Sequence, residues 1–93
     1  MNDAPLPEHP RARPDVVFRR LDAEWVIFDP RNQELHALNL TAALVWEYCS
    51  GEATVDEIAE AVGGAFASAP NAGDVHRDVR ETLARFARAG LLA

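Results

Sequence analysis

The sequence predicts an α+β fold in which a three-stranded antiparallel β-sheet is followed by three α-helices. The first half of the chain contains short runs of β-branched and aromatic residues separated by turn residues, a pattern typical of hairpins. The second half carries apolar residues at helical spacing between recognisable helix ends. A length of 93 residues is sufficient for one domain with its own core.

Three predicted strands are separated by two turns. Val16 to Leu21 and Trp25 to Phe28 form a hairpin around the polar residues Asp22 to Glu24. The turn from Asp29 to Gln33 contains a proline that presets its backbone, and Glu34 to Leu38 follows with the alternation of a third strand. Hairpin connections predict a meander in chain order.

The first helix is predicted from Leu40 to Cys49, with Asn39 as its N-cap. Its residues are apolar on most sides, which indicates a buried helix. Ser50 and Gly51 end it.

A capping box marks the start of the second helix. Thr54 and Glu57 have the spacing at which each side chain accepts a hydrogen bond from the other residue's backbone N–H. Gly63 and Gly64 weaken the helix toward its end, and the loop from Ser68 to Gly73 follows. The apolar face of the second helix comprises Val55, Ile58, Ala59, Val62 and Phe66.

The third helix is predicted from about Asp74, as its cap, to Ala89. Gly90 occupies the C′ position at which glycine closes a helix, and Leu91 is placed to contact Phe86. The inward face comprises Val75, Val79, Leu83, Phe86 and Ala87.

Residues Met1 to Pro14 contain four prolines and are predicted to form a flexible arm, which leaves the folded domain at residues 15–93. There is no secretory signal and no apolar run long enough for a membrane span, so we expect a cytoplasmic protein without a membrane partner. The single cysteine excludes an internal disulfide.

The net charge argues against nucleic acid as a partner. The chain has nine arginines, no lysine and fifteen acidic residues, whereas a nucleic-acid binder needs cations to neutralise phosphates. A winged-helix DNA-binding regulator is nevertheless the alternative, because strands with three helices also describe that fold. Its recognition helix should be basic, but the third helix here mixes arginines with acidic residues.

No residue pattern predicts catalysis, a metal site or a cofactor. Cys49 and His36 could suggest a nucleophile and a base, but a third, orienting group is missing, and a lone cysteine at a helix end is typical of packing. His9, His36 and His76 are scattered without the paired spacing of a zinc site.

The third strand is an edge strand if the sheet follows chain order, so its outer N–H and C=O groups lack partners. A peptide could add there as a fourth strand beside the last helix. The same exposed edge, with the proline-rich arm, leaves open a homodimer formed by strand exchange.

Several motifs in this order resemble the PqqD-like family of peptide chaperones, also called RiPP recognition elements. The resemblance covers Val16 to Leu92. The motifs are Phe28-Asp29-Pro30, Leu38-Asn39-Leu40-Thr41-Ala42 with Trp46, Ser50-Gly51, Thr54-Val55-Asp56-Glu57-Ile58 and Gly90-Leu91-Leu92.

The resemblance implies a winged-helix-like fold and a non-enzymatic function. Such proteins bind the leader segment of a ribosomally made precursor peptide by β-strand addition, and present it to a modifying enzyme such as a radical SAM protein, a cyclase or a protease. The leader would lie between the third strand and the third helix. Carried over to this sequence, the peptide-binding residues are Glu34, Leu35, His36, Ala37, Leu38, Val75, Val79, Arg80 and Leu83.

Overall fold

The computed structural model describes residues 6–65 and 72–93, and the side chains of residues 72–74 are outside that description. It confirms the predicted α+β order. The elements are β1 (Val17–Leu21), β2 (Glu24–Asp29), β3 (Glu34–Leu38), α1 (Leu40–Glu47), α2 (Val55–Ala65) and α3 (Ala72–Arg88).

The sheet is an antiparallel meander in the order β1-β2-β3. Leu21 pairs with Glu24 across the first turn, and Asp29 pairs with Glu34 across the second. Asp22 and Gln33 take positive φ values of 54° and 55° in these turns, a conformation that Asp tolerates because its short side chain can hydrogen-bond locally. The tight turns leave β1 and β3 as the two edges.

One face of the sheet packs on the helices, and the other faces outward. Ile27 and Leu38 belong to the core with residues of all three helices, whereas Phe28, Leu35 and Ala37 point away from it. Within the core the ring of Phe86 meets that of Trp46 edge to face, with centroids 5.3 Å apart. This geometry is favourable for aromatic pairs.

The predicted starts of α1 and α2 are confirmed by their caps. The Asn39 side chain accepts a hydrogen bond from the Ala42 N–H at 2.8 Å. At the start of α2, the Thr54 N–H donates to Glu57 Oε1 at 2.8 Å, and the Glu57 N–H donates to Thr54 Oγ1 at 3.1 Å. Since these bonds satisfy orphan backbone donors, each fixes where its helix begins.

The start predicted for α3 is wrong. The helix begins at Ala72, so Gly73 is helical rather than part of a loop, and Asp74 lies inside the helix rather than capping it. A glycine inside a helix costs only about 1 kcal/mol relative to alanine, which the burial of the helix's apolar face can offset. Phe66 and the predicted loop residues Ser68 to Asn71 lie outside the described residues.

The predicted end of α3 is confirmed as a Schellman motif. Gly90 has φ 75°, its N–H donates to the Ala87 carbonyl at 3.1 Å, and the Leu91 N–H donates to the Phe86 carbonyl at 3.0 Å. Leu91 and Phe86 are both buried in the core. The motif therefore couples helix termination to packing.

The proline-rich segment differs from the arm predicted, because residues 10–13 pack on the domain. The Ala12 N–H donates to the Cys49 carbonyl and the Arg13 N–H to the Leu91 carbonyl, each at 2.9 Å, and Pro10 is buried. Composition indicated a disordered segment, but these backbone bonds and the ion pairs of Arg13 attach it to the C-terminus and to the end of α1.

Candidate functional site

The outer edge of β3 is the clearest binding surface on the sheet. β3 pairs with β2 on one side, and no strand among residues 6–65 and 72–93 pairs with its other side. Leu35 is 69% exposed on the outward face, and Ala37 is exposed beside it. An edge with an exposed leucine can take an added strand through both main-chain bonds and side-chain burial.

The inward side chains of β3 line the start of the core. Leu38 is buried, and His36 is half-buried. The His36 Nε2 atom lies 3.5 Å from Glu34 Oε1 and has no hydrogen-bond partner among the described residues. β3 therefore presents the apolar side chains of Leu35 and Ala37 on its outward face and the polar side chains of Glu34 and His36 on its inward face.

The apolar residues predicted on α3 lie in the hydrophobic core. Val79 and Leu83 are 0% exposed, and Val75 is buried with them. A side chain without accessible surface cannot contact a peptide, so Val79 and Leu83 are covered in this conformation, and the place of the three residues in the peptide site stays a prediction. Helical spacing identified the apolar face of α3 but could not say how far α1 and α2 bury it.

Arg80 is exposed, as a site residue should be, but its guanidinium pairs with the Asp56 carboxylate of α2. This contact ties the exposed face of α3 to the N-terminal turn of α2. Arg80 therefore stands at the boundary between the two helices rather than opposite β3 alone.

An open groove of about 730 Å³ runs along α3 and reaches the residue that follows β3. Of its lining residues only Arg80 was predicted as a site residue, although the positions on α3 opposite Val75, Val79 and Leu83 indicate the exposed face of the helix by helical period. One wall is the start of α1 and the other is α3. The lining residues are Asn39, Thr41, Arg77, Asp78, Arg80, Glu81, Thr82, Ala84, Arg85 and Arg88.

The turn that carries the chain into β3 is held by a buried ion pair. Asp29 is fully buried and accepts from Arg13 Nη2 at 3.0 Å, from the Asn32 amide at 2.8 Å and from the Arg31 N–H at 3.0 Å. Hydrogen bonding to Arg13, then to Asn32, holds the pKa of Asp29 far below its usual range. The Asp-Pro turn is thus fixed by a charged network.

Arg13 completes this network from the other side. Its guanidinium also binds Asp15, at 2.6 Å, and the Gly90 carbonyl, at 2.8 Å. Hydrogen bonds to Asp15 and Asp29 raise the pKa of Arg13, so the group stays charged. One side chain therefore joins the N-terminal segment, the β2–β3 turn and the end of α3.

Cys49 is buried, and desolvation raises the pKa of its thiol to about 12. A thiol in that state is a poor nucleophile. Among residues 6–65 and 72–93, no cluster of three His, Cys, Asp or Glu side chains could hold a metal ion. Over the same residues, no helix is long and apolar enough to cross a membrane.

Residues 24–92 match the family of coenzyme PQQ synthesis protein D (PqqD). Among curated proteins, no sequence is significantly similar to this chain. The matched range extends from β2 to the end of the Gly90-Leu91-Leu92 motif.

Two solved structures share the fold at a TM-score of 0.71 each. One is described as TbiB1 in complex with the TbiA(beta) leader peptide; it is 22% identical and covers 88% of this chain and 93% of its own. The other is described as lasso peptide synthetase B1 complexed with the leader peptide; it is 24% identical and covers 91% of this chain and 98% of its own. The winged-helix DNA-binding alternative gains no support from these comparisons.

Proposed function

Because the chain belongs to the PqqD family, we propose that it binds the leader segment of a ribosomally made precursor peptide along the β3 edge and presents the peptide to a modifying enzyme. The observation that carries the proposal is the outer edge of β3, which pairs with no strand in the described part of the chain and carries the 69% exposed Leu35. Two proteins of the same fold have been solved with leader peptides, which supports this choice of ligand.

Strand addition explains how one small surface can hold different peptides. The five residues Glu34–Leu38 offer backbone donors and acceptors to a partner strand, independent of its side chains. Each such bond contributes about 0.5–1.5 kcal/mol net. The peptide's outward side chains would then cover Leu35 and Ala37, which adds the hydrophobic contribution.

The opposite edge is a poorer site. β1 carries Arg19 and Arg20 near its exposed end, and the Arg20 guanidinium lies 5.1 Å from the centroid of the Trp25 ring. Charged side chains on an edge strand oppose the addition of another strand. The edge at β3 is therefore better suited than the edge at β1 to accept an added strand.

Presentation requires no catalytic group on this chain. A leader held on β3 leaves the remainder of the precursor free to reach the enzyme, whose encounter with it becomes effectively intramolecular. The buried Cys49 thiol, whose pKa is raised by desolvation, is poorly suited to act as a nucleophile. The partner enzyme is of the radical SAM, cyclase or protease type.

Calorimetric titration with two synthetic peptides tests the proposal. The peptides are the leader half and the core half of whichever short peptide is encoded beside the gene. We expect saturable binding of the leader half alone, and a loss of more than tenfold in affinity in a Leu35→Asp variant. Leu21→Asp is the matched control, because Leu21 is 55% exposed on β1 at the other edge. Equal losses of affinity in the two variants, or no loss in either, would show that β3 is not the binding edge.

A further inference from the structure

Glu34 lies at the accessible end of the β3 edge. Its side chain is 56% exposed and the neighbouring Leu35 is 69% exposed, whereas Leu38 at the other end of the strand is buried. A strand that pairs with the open part of β3 therefore passes Glu34 and Leu35. The residue of that strand directly opposite Glu34 would have its Cβ atom about 4.5–5.5 Å from the Cβ atom of Glu34.

The negative charge of Glu34 is poorly matched on the side of β3 that is already paired. Its partner in the β2–β3 ladder is Asp29, so two carboxylates lie opposite each other on the inward face of the sheet. Like charges at such positions are unfavourable. The Arg13 guanidinium donates to Asp29 at 3.0 and 3.3 Å and also to Asp15 at 2.6 Å. Arg13 is thus engaged by two aspartates rather than by Glu34.

The ion-pair contact that Glu34 does make is with the imidazole of His36, two residues along the same face of β3. Nε2 of His36 and Oε1 of Glu34 are 3.5 Å apart, and Nε2 forms no hydrogen bond within the described residues. This contact pairs opposite charges only while the imidazole is protonated, whereas a guanidinium or an ammonium group is charged at neutral pH. A cation brought by the ligand would therefore be a stronger partner for the Glu34 carboxylate.

We propose that Glu34 selects the leader by charge: the leader residue opposite Glu34 is Arg or Lys, and the next residue, opposite Leu35, is a large apolar one. The two leader residues are adjacent because successive side chains of a strand point to opposite faces, one inward beside Glu34 and one outward beside Leu35. They are adjacent whether the leader runs parallel or antiparallel to β3. This inference rests on the proposed β3 site and defines the class of peptide that fills it.

The test is a selection from random twelve-residue peptides displayed on bacteria, with the full chain as bait. Three baits are compared, namely the wild type, Glu34→Lys and Glu24→Lys. Glu24 is an exposed acidic residue at the start of β2, so the two variants have the same net charge and reverse it at different places. The matched charge is needed because a chain with a net charge of −6 attracts any basic peptide over a distance.

We expect the wild type and Glu24→Lys to enrich peptides in which Arg or Lys directly neighbours a large apolar residue. Glu34→Lys should instead enrich Asp or Glu at the position of the basic residue. In solution, Glu34→Gln should weaken the binding of an enriched peptide about threefold, as expected of an exposed ion pair. Replacing the basic residue of the peptide by Gln should then cost nothing further, and the threefold effect should shrink at high salt.

Two results would overturn this inference while peptide capture stands. One is that the peptides enriched by the wild type lack a basic residue beside an apolar one. The other is that Glu24→Lys changes the preference as much as Glu34→Lys does, which would assign the effect to net charge. If no bait enriches a peptide, the proposed function fails, and this inference fails with it.

Discussion

Truncation of Val79 to alanine separates stability from binding. Val79 is 0% exposed in the core, so the substitution removes two buried methyl groups. Their transfer free energy is about 1.6 kcal/mol at ~0.8 kcal/mol per group. A residual cavity of about 40 Å³ would add ~1 kcal/mol at ~24 cal/mol per Å³. We therefore expect a loss of about 2.5 kcal/mol in the free energy of unfolding, which a domain of this size tolerates.

Urea denaturation measures the loss. With an m-value of about 1.3 kcal/mol/M, the midpoint should fall by about 2 M while the m-value stays unchanged. Leader affinity of the folded variant should remain at the wild-type value. Leu35→Ala should give the reverse, a stability change within about 0.5 kcal/mol and a loss of about tenfold in affinity, since Leu35 is an exposed edge residue. A stable Val79→Ala variant that no longer binds the leader would refute the assignment of Val79 to the core.

Three further predictions concern the caps, the ion pair and the cysteine. Thr54→Ala should destabilise the fold by about 1 kcal/mol in urea, and Thr54→Ser should restore most of it, because the hydroxyl accepts a helix N–H; equal losses would contradict the cap. The pKa of Asp29 is lowered in the fold, so its contribution to stability is present above the ordinary aspartate pKa near 4 and is lost as pH falls below it. Asp29→Asn should accordingly flatten the acid limb of thermal stability between about pH 5 and pH 2, and an unchanged limb would speak against the pairing with Arg13. Since the Cys49 pKa is raised to about 12, iodoacetamide at pH 8 should label the thiol only in denaturant, and rapid native labelling would contradict its burial.

Local signals in the sequence were sufficient for most of the fold. Caps such as Asn39 and the Thr54–Glu57 box depend on residues three apart, so their geometry is readable from spacing. The C′ glycine, Gly90, is of the same kind. Strand order followed from short hairpin turns that leave little choice of topology.

Long-range contacts were not predictable in this way. Arg13 lies in a segment that composition marked as disordered, yet it pairs with Asp29 sixteen residues away and with Gly90 at the other end of the chain. Burial of Val79 and Leu83 depends likewise on which elements cover α3. The helical period defines a face of α3 but not the solvent access of that face, so the burial of Val79 and Leu83 could not be predicted from the sequence.

Backbone amide shifts of the isotope-labelled chain, followed during titration with the leader peptide, test the central claim most directly. The account predicts saturable shifts centred on Glu34–Leu38 and on the exposed residues of α3, with those of β1 unchanged. Shifts centred on β1, or no shifts at saturating peptide, would contradict leader capture at the β3 edge.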